Sequence, residues 1–440
     1  MGDFINEKIL PKVMAFVNTK PVQALKDGMV LSMPMLIVGS AFLIFANLPI
    51  QAAADALAAA GITDILNQAY GATFSISAII AVIGIAYNYA KQEGQEPLGG
   101  GILALSTFLL LQPSSITSAS GDVVGNVIDK TWAAGQGMIG AIIIGLVVGK
   151  VYSWFLKKDI RIKMPAGVPV GVANAFSALI PAAVVISVAT LIHGIFVVGF
   201  KMTAMEAIYK VIQTPLQGLT DSLPGVIIYA FMVSFLWFFG VHGSTICSGI
   251  MSGLFQANFM ENQAILDSGL ELTVANGGHI VTQQFIDQFI TVTGSGITIG
   301  VVIYMFTMAK SQQLKGLGRL EIGPALFNIN EPILFGLPIV MNPLMAVPFI
   351  MTPVVVGVVQ YFALATGLCP LYKGIVVPWT TPPIISGFLV GGWRTALLQV
   401  VTMVISFFIY LPFVRKIDKM NVENEQAAAA GSSDDDDDDW

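Results

Sequence analysis

The sequence predicts an all-α polytopic membrane protein, on three observations. Of its 440 residues, 55% are hydrophobic and only 11% charged, with a mean hydropathy of +0.78. A soluble domain carries about 25% charged residues. The apolar residues fall in runs of roughly 20, the length a helix needs to cross a bilayer. Within the most apolar part, from Ile322 to Tyr372, 51 residues hold a single formal charge, Glu331.

Taken in order, residues 1–27 alternate charged positions (Asp3, Glu7, Lys8, Lys12, Lys20, Lys26) with apolar ones. They lack a continuous apolar core, so no cleavable signal peptide is expected. Phe4, Ile5, Ile9, Val13, Phe16 and Val17 read as an amphipathic segment on the membrane surface, bent at Pro11. Ten spans follow, near 28–50, 70–90, 98–113, 132–156, 170–200, 224–244, 245–260, 291–309, 343–367 and 392–414. An even count puts both ends on one side. Basic clusters at Lys8–Lys26, Lys157–Lys163, Lys310–Arg319 and Arg415–Lys419 all fall on that side. The positive-inside rule makes it cytoplasmic.

Residues 28–200 form a five-span scaffold. Residues 201–220 read as an amphipathic connector along an interface. Residues 221–415 are irregular: a polar stretch runs from Asn262 to Gln288, then two apolar segments, 322–343 and 368–387, are interrupted by Pro and Gly. Broken segments at membrane depth are tolerated only where buried in protein or lining a cavity, so both suit re-entrant hairpins. Paired broken segments point to a transporter binding site. Residues 416–440 are polar, Ala-rich and end in an acid run, and are expected to be disordered.

The net charge of −6 comes from that end, where Asp434 to Asp439 are six aspartates; without them 21 acidic residues face 21 basic ones. A neutral body presents no nucleic-acid surface. Cys247 and Cys369 lie in apolar surroundings, without metal-ligand spacing or a disulfide framework. No Walker motif is present, so ATP hydrolysis is not expected, and no cofactor or metal is implied.

Glu331 is the first candidate site residue, in the run N-I-N-E-P with Asn328, Asn330 and Pro332. A carboxylate at membrane depth costs about 2.5–3.5 kcal/mol on insertion scales, so a buried acid here marks a use for the group. Two amides and a carboxylate supply the donors and acceptors that sugar hydroxyls need; the alternative is an acid capping a broken helix. His242, in FFGVHGST, lies in a stretch, Ser222 to Met260, without a charged residue. Its flanking glycines allow close approach, and a bond to a neighbouring helix is the alternative. Trp379, in VVPWTTPP, can pack an indole face on a pyranose or anchor at the interface. His193 and His279 read as structural, and Gly99–Gly101 as close helix packing.

In FFGVHGST, VTQQFIDQF, GPALFNINEPILFGLPIVMNP and VPWTTPP the chain resembles the sugar-permease subunit, enzyme IIC, of the bacterial phosphotransferase system, in its lactose, cellobiose and diacetylchitobiose branch. The resemblance covers roughly residues 1–420 and implies a homodimer in the bacterial inner membrane. The first five spans would make most of the dimer contact, and a mobile sugar-carrying domain would move against them as an elevator. It implies that His242, Glu331 and Trp379 lie at the bound disaccharide, with Asn328 and Asn330 in the motif. Partner subunits IIB and IIA would carry the phosphoryl group, on a cysteine of IIB, leaving this chain no catalytic residue of its own. Two rivals stay open on the residues alone: an ion-coupled secondary sugar transporter, and an intramembrane enzyme using His242 with Ser244.

Overall fold

The computed structural model describes residues 10–46, 51–117, 122–165, 167–337 and 339–434. The chain divides into two compact units. One comprises Met1–Thr220, Ser248–Thr282 and Lys373–Val376; the other comprises Asp221–Cys247, Gln283–Tyr372 and Val377–Trp440.

Among the described residues six helices are long and apolar enough to cross a membrane: Lys20–Ala46, Ile62–Gln92, Gly135–Lys157, Val170–Phe200, Pro343–Ala365 and Ile385–Ala427. Ala204–Thr220 and Leu223–Phe238, bent by 73°, make a seventh if taken as one span. The other three runs read from the sequence fold differently. Pro97–Leu110 is an apolar helix of 14 residues. Residues 245–260 lie in the longer helix Gly243–Asp267, which buries Gln256, Asn258, Asn262 and Gln263. Residues 291–309 open with an irregular turn and continue as the nine-residue helix Ile299–Thr307.

In the first unit, helices Lys20–Val30, Pro97–Leu110 and Met138–Lys157 pack around Ser77–Gln92, whose Ala78, Ala81, Val82, Ile85 and Ala86 are wholly buried. Glu96 caps Pro97–Leu110, accepting from the Leu98 and Gly99 amides at 2.9 Å each. A Cβ on Gly99 would lie 2.6 Å from the Tyr152 hydroxyl, which is the close packing that the glycine run serves. The fold is not purely helical. Ser115–Thr117 pairs antiparallel with Val123–Gly125, in register Ile116↔Val124. The β-branched Ile116, Thr117, Val123 and Val124 favour strand over helix in this loop.

The connector is tied down by amides. Gln213 Nε2 and Gln217 Nε2 donate to Glu261 Oε1 at 2.9 and 3.1 Å, and His279 Nε2 lies 3.0 Å from Glu261 Oε2. Asn258 Nδ2 donates to the Val281 carbonyl at 2.7 Å. Much of the polar stretch that follows Asn262 is therefore bonded inside this unit.

In the second unit, Leu223–Phe238 packs on Pro343–Ala365, and Ile299–Thr307 packs on Gln312–Leu326 and on the C-terminal helix. Gly391 and Gly392 break that last helix, Gly392 with φ +76°. It then continues to Asp434, which corrects the expected disorder over 416–434; residues 435–440 lie outside the described residues. Two carboxylates explain the order. Asp418, 3% exposed, accepts from the Lys310 and Ser311 amides at 2.9 Å each and from the Tyr304 hydroxyl at 2.9 Å. Glu425 accepts from the Gln312 and Gln313 amides at 3.0 Å each. Glu425 satisfies the first open amides of Gln312–Leu326, and Asp418 those of its N-cap Ser311 and the preceding Lys310, where negative charge is favourable. The alanines at 427–430 then extend a helix already anchored.

Candidate functional site

All five candidate residues fall in the second unit. His242 sits between two helices. Leu223–Phe238 ends in a Schellman motif: Gly240 takes φ +79°, its amide bonds the Trp237 carbonyl at 2.9 Å, and the Val241 amide bonds the Leu236 carbonyl at 3.0 Å. The next helix begins at Gly243, and His242 caps it. Its Nδ1 accepts the Thr245 amide at 3.2 Å and lies 2.8 Å from Thr245 Oγ1. A neutral imidazole with an accepting Nδ1 carries its proton on Nε2. The residue is exposed, and its ring lies tilted by 47° against Trp237, centroids 4.4 Å apart. His242 therefore has one ring N–H donor, on Nε2, that the cap does not use.

Glu331 opens the short helix Glu331–Gly336, directly after Asn330. The sequence reading of a buried acid is corrected here. The side chain is exposed, because it projects from the first turn of a broken helix rather than from the flank of a packed one. Among the described residues nothing hydrogen-bonds its carboxylate. Glu331 lies close enough for its charge to act on both His242 and Glu321. An exposed acceptor and an exposed donor thus lie within electrostatic range of each other.

Asn328 and Asn330 face the other way. Asn330, 3% exposed, donates from Nδ2 to the Ser295 carbonyl at 2.8 Å and to Thr298 Oγ1 at 2.9 Å. Asn328, 6% exposed, takes φ +62°, accepts the Thr293 amide at 2.6 Å, and donates to the Trp379 and Thr381 carbonyls at 2.5 and 3.0 Å. Their amides bind backbone groups and the Thr298 hydroxyl, so they hold the loop that presents Glu331. Ser295 is also bonded to Ser244, Oγ to Oγ at 2.8 Å. This links the His242 loop to the Glu331 loop through Asn330. Gly294, at φ +89°, allows the approach: a Cβ there would lie 2.1 Å from Asn330 Cγ.

Trp379 is 52% exposed, on the segment that Asn328 grips. Three glutamines fix that segment further, and the sequence reading did not single them out. Gln284 Oε1 accepts the Val377 amide at 3.1 Å, and Gln288 Nε2 donates to the Val377 carbonyl at 3.0 Å. Gln399 Oε1 accepts the Ile384 and Gly387 amides at 2.6 and 2.9 Å, while its Nε2 donates to the Gln288 carbonyl and to Ser386 Oγ at 2.9 Å each. Glutamines in apolar runs were the available signal. Glu321 was also missed. It is wholly buried, with neither carboxylate oxygen hydrogen-bonded.

A family model described as "Phosphotransferase system, EIIC" matches residues 26–353. The chain belongs to the phosphotransferase-system EIIC family. Among relatives of this EIIC chain, the lichenan permease IIC component of Bacillus subtilis (strain 168) is 36% identical over 439 residues, covering 97% of this chain and 95% of the relative. The cellobiose-specific EIIC component of Geobacillus stearothermophilus is 38% identical over 437 residues, covering 96% and 95%. The crystal structure of the transporter ChbC, the IIC component from the N,N'-diacetylchitobiose-specific phosphotransferase system, matches with a TM-score of 0.90 at 37% identity, covering 96% of this EIIC chain and 99% of that one. The resemblance read from the four motifs therefore holds, and it extends over nearly the whole chain.

Proposed function

We propose that this EIIC chain binds an extracellular β-disaccharide of the cellobiose or diacetylchitobiose class and carries it inward, where a partner phosphorylates it. The single observation behind this reading is that exposed His242, whose capping bond leaves its ring N–H on Nε2, and the exposed Glu331 carboxylate, without a hydrogen bond among the described residues, lie within electrostatic range of each other. A donor and an acceptor held on separate, interlinked loops suit adjacent sugar hydroxyls. Exposed Trp379, on its clamped segment, offers the apolar face of a pyranose a surface.

In this reading the functional unit is a homodimer in the bacterial inner membrane, with both termini cytoplasmic. Each chain crosses ten times and carries re-entrant hairpins at 322–343 and 368–387. Residues 28–200 serve as the fixed scaffold and residues 221–415 as the moving sugar carrier. The sugar hydroxyl attacks phosphorus on the phosphocysteine of a IIB partner, itself recharged by IIA. The O–P bond forms as the S–P bond breaks, with Glu331 accepting a hydrogen bond from a sugar hydroxyl and the attacking hydroxyl's proton passing to the departing cysteine thiolate. Trapping by phosphorylation then replaces any ion gradient.

The test is uptake by proteoliposomes. With phosphorylated IIB inside, labelled cellobiose or diacetylchitobiose should accumulate as the phosphate without a Na⁺ or proton gradient. Accumulation of unmodified sugar driven by either gradient, with no partner present, would replace this reading with ion-coupled transport.

A further inference from the structure

We propose that the basic surface formed by Lys310, Lys315, Arg319, Arg415, Lys416 and Lys419 is the docking site of the phosphorylated partner protein, an inference that rests on the function proposed above. These cations come from two clusters about a hundred residues apart in the chain. The capping bonds from Asp418 to the Lys310 and Ser311 amides, and from Glu425 to the Gln312 and Gln313 amides, lay the second cluster beside the first.

The caps also set the charge. Asp418 directs its carboxylate onto the Lys310 and Ser311 amides and Glu425 onto those of Gln312 and Gln313, rather than onto the side chains of neighbouring cations. Among the described residues only Lys419 of the six forms an ion pair, with Glu423 at 3.7 Å. Lys310, Arg319, Arg415 and Lys416 are exposed. The six cations outnumber Asp418, Glu423 and Glu425 on the same two segments, and this net positive charge raises the rate of encounter with an anionic partner.

Two features favour a protein over an anionic lipid surface. A notch of about 250 Å³ lies beside the cations, with Leu337, Leu344, Ile417 and Met420 in its walls. Lipid headgroups need only charge, whereas a protein loop fills a notch with an apolar wall. The notch is also joined to the site through the chain. Leu337 directly follows the helix that begins at Glu331, and Gln312–Leu326 leads into Asn328. A phosphoryl carrier seated here meets the two ends of the segment that presents the proposed acceptor.

The experiment uses the full chain in proteoliposomes with a phosphorylated IIB protein of the cellobiose type, and compares the parent with the Lys310→Glu, Arg319→Glu, Arg415→Glu triple variant. The KM for phosphorylated IIB should rise about tenfold or more and lose its dependence on salt, while equilibrium cellobiose binding stays at the parent value. If the charge-reversed protein does not bind cellobiose, the corresponding triple Gln variant reads the same effect on a gentler change. An unchanged KM in a cellobiose-binding variant would overturn the proposal and leave the cations to the lipid surface. A parent that binds cellobiose but accepts no phosphoryl group from IIB would overturn it together with the phosphorylation step above, and a parent that binds no sugar would bring down the permease reading itself.

Discussion

The Thr245 amide donates to His242 Nδ1 at 3.2 Å, and that one bond decides what His242 can do. It makes the ring a helix cap on one side and a donor on the other. Neither role can be moved without the other unless the replacement keeps an acceptor at the Nδ1 position.

Asparagine supplies such an acceptor. His242→Asn should keep the cap and hence the unfolding temperature, since Asn ranks among the best N-cap residues. It removes the Nε2 N–H, and disaccharide affinity should fall by about tenfold, the net worth of one good hydrogen bond. Calorimetric binding beside thermal unfolding checks this. An affinity equal to the parent's would reduce His242 to a cap.

Gly294→Ala should be severe. The added Cβ would meet Asn330 Cγ at 2.1 Å, in a backbone conformation that disfavours side chains. Asn330 would lose Ser295 and Thr298, and Glu331 would lose its seat. Sugar binding should vanish, with a stability cost of roughly 2 kcal/mol or more. Normal binding by a folded Gly294→Ala protein would show that Asn330 does not hold the site.

Gln399→Leu takes four hydrogen bonds from one side chain. It leaves the Ile384 and Gly387 amides unpaired, at about 1–3 kcal/mol each. The segment carrying Trp379 should loosen. Binding should weaken, and hydrogen exchange should speed up over 377–390 before it does so elsewhere.

Glu321 gives the chain a pH dependence of its own. It lies outside the six apolar spans, and burial, followed by the charge of Glu331, pushes its carboxyl from 4.5 up to about 7. The folded chain therefore holds that proton more tightly than the unfolded one. Stability is full below about 4.5, falls as pH rises towards 7, and levels off above. Glu321→Gln should erase that fall and stabilise the protein at pH 8 by on the order of 2 kcal/mol. Unfolding midpoints between pH 5 and 8 measure it.

Much of the site was legible because membrane depth makes polar residues conspicuous. Glu331 stood alone among 51 residues, and His242 and Trp379 sat in uncharged, Gly- or Pro-broken runs. Direction was not legible. Asn328 and Asn330 belong to the same motif as Glu331, yet their partners, backbone groups and the Thr298 hydroxyl, lie 32 to 53 residues away, which no local pattern reports. Glu321 was hidden by its neighbours: beside Lys315 and Arg319 it reads as one more solvated charge, although it is wholly buried. The ordered C-terminal helix escaped for a related reason. Polarity and alanine content suggested disorder, but Asp418 and Glu425 find their amides more than a hundred residues back.

The most direct test of the account is equilibrium binding of a small disaccharide panel to purified protein, parent beside Glu331→Gln. The parent should bind one β-disaccharide saturably, and that binding should be lost when the carboxylate becomes an amide of the same shape. Equal binding by both proteins would contradict it and make Glu331 a structural residue of a broken helix.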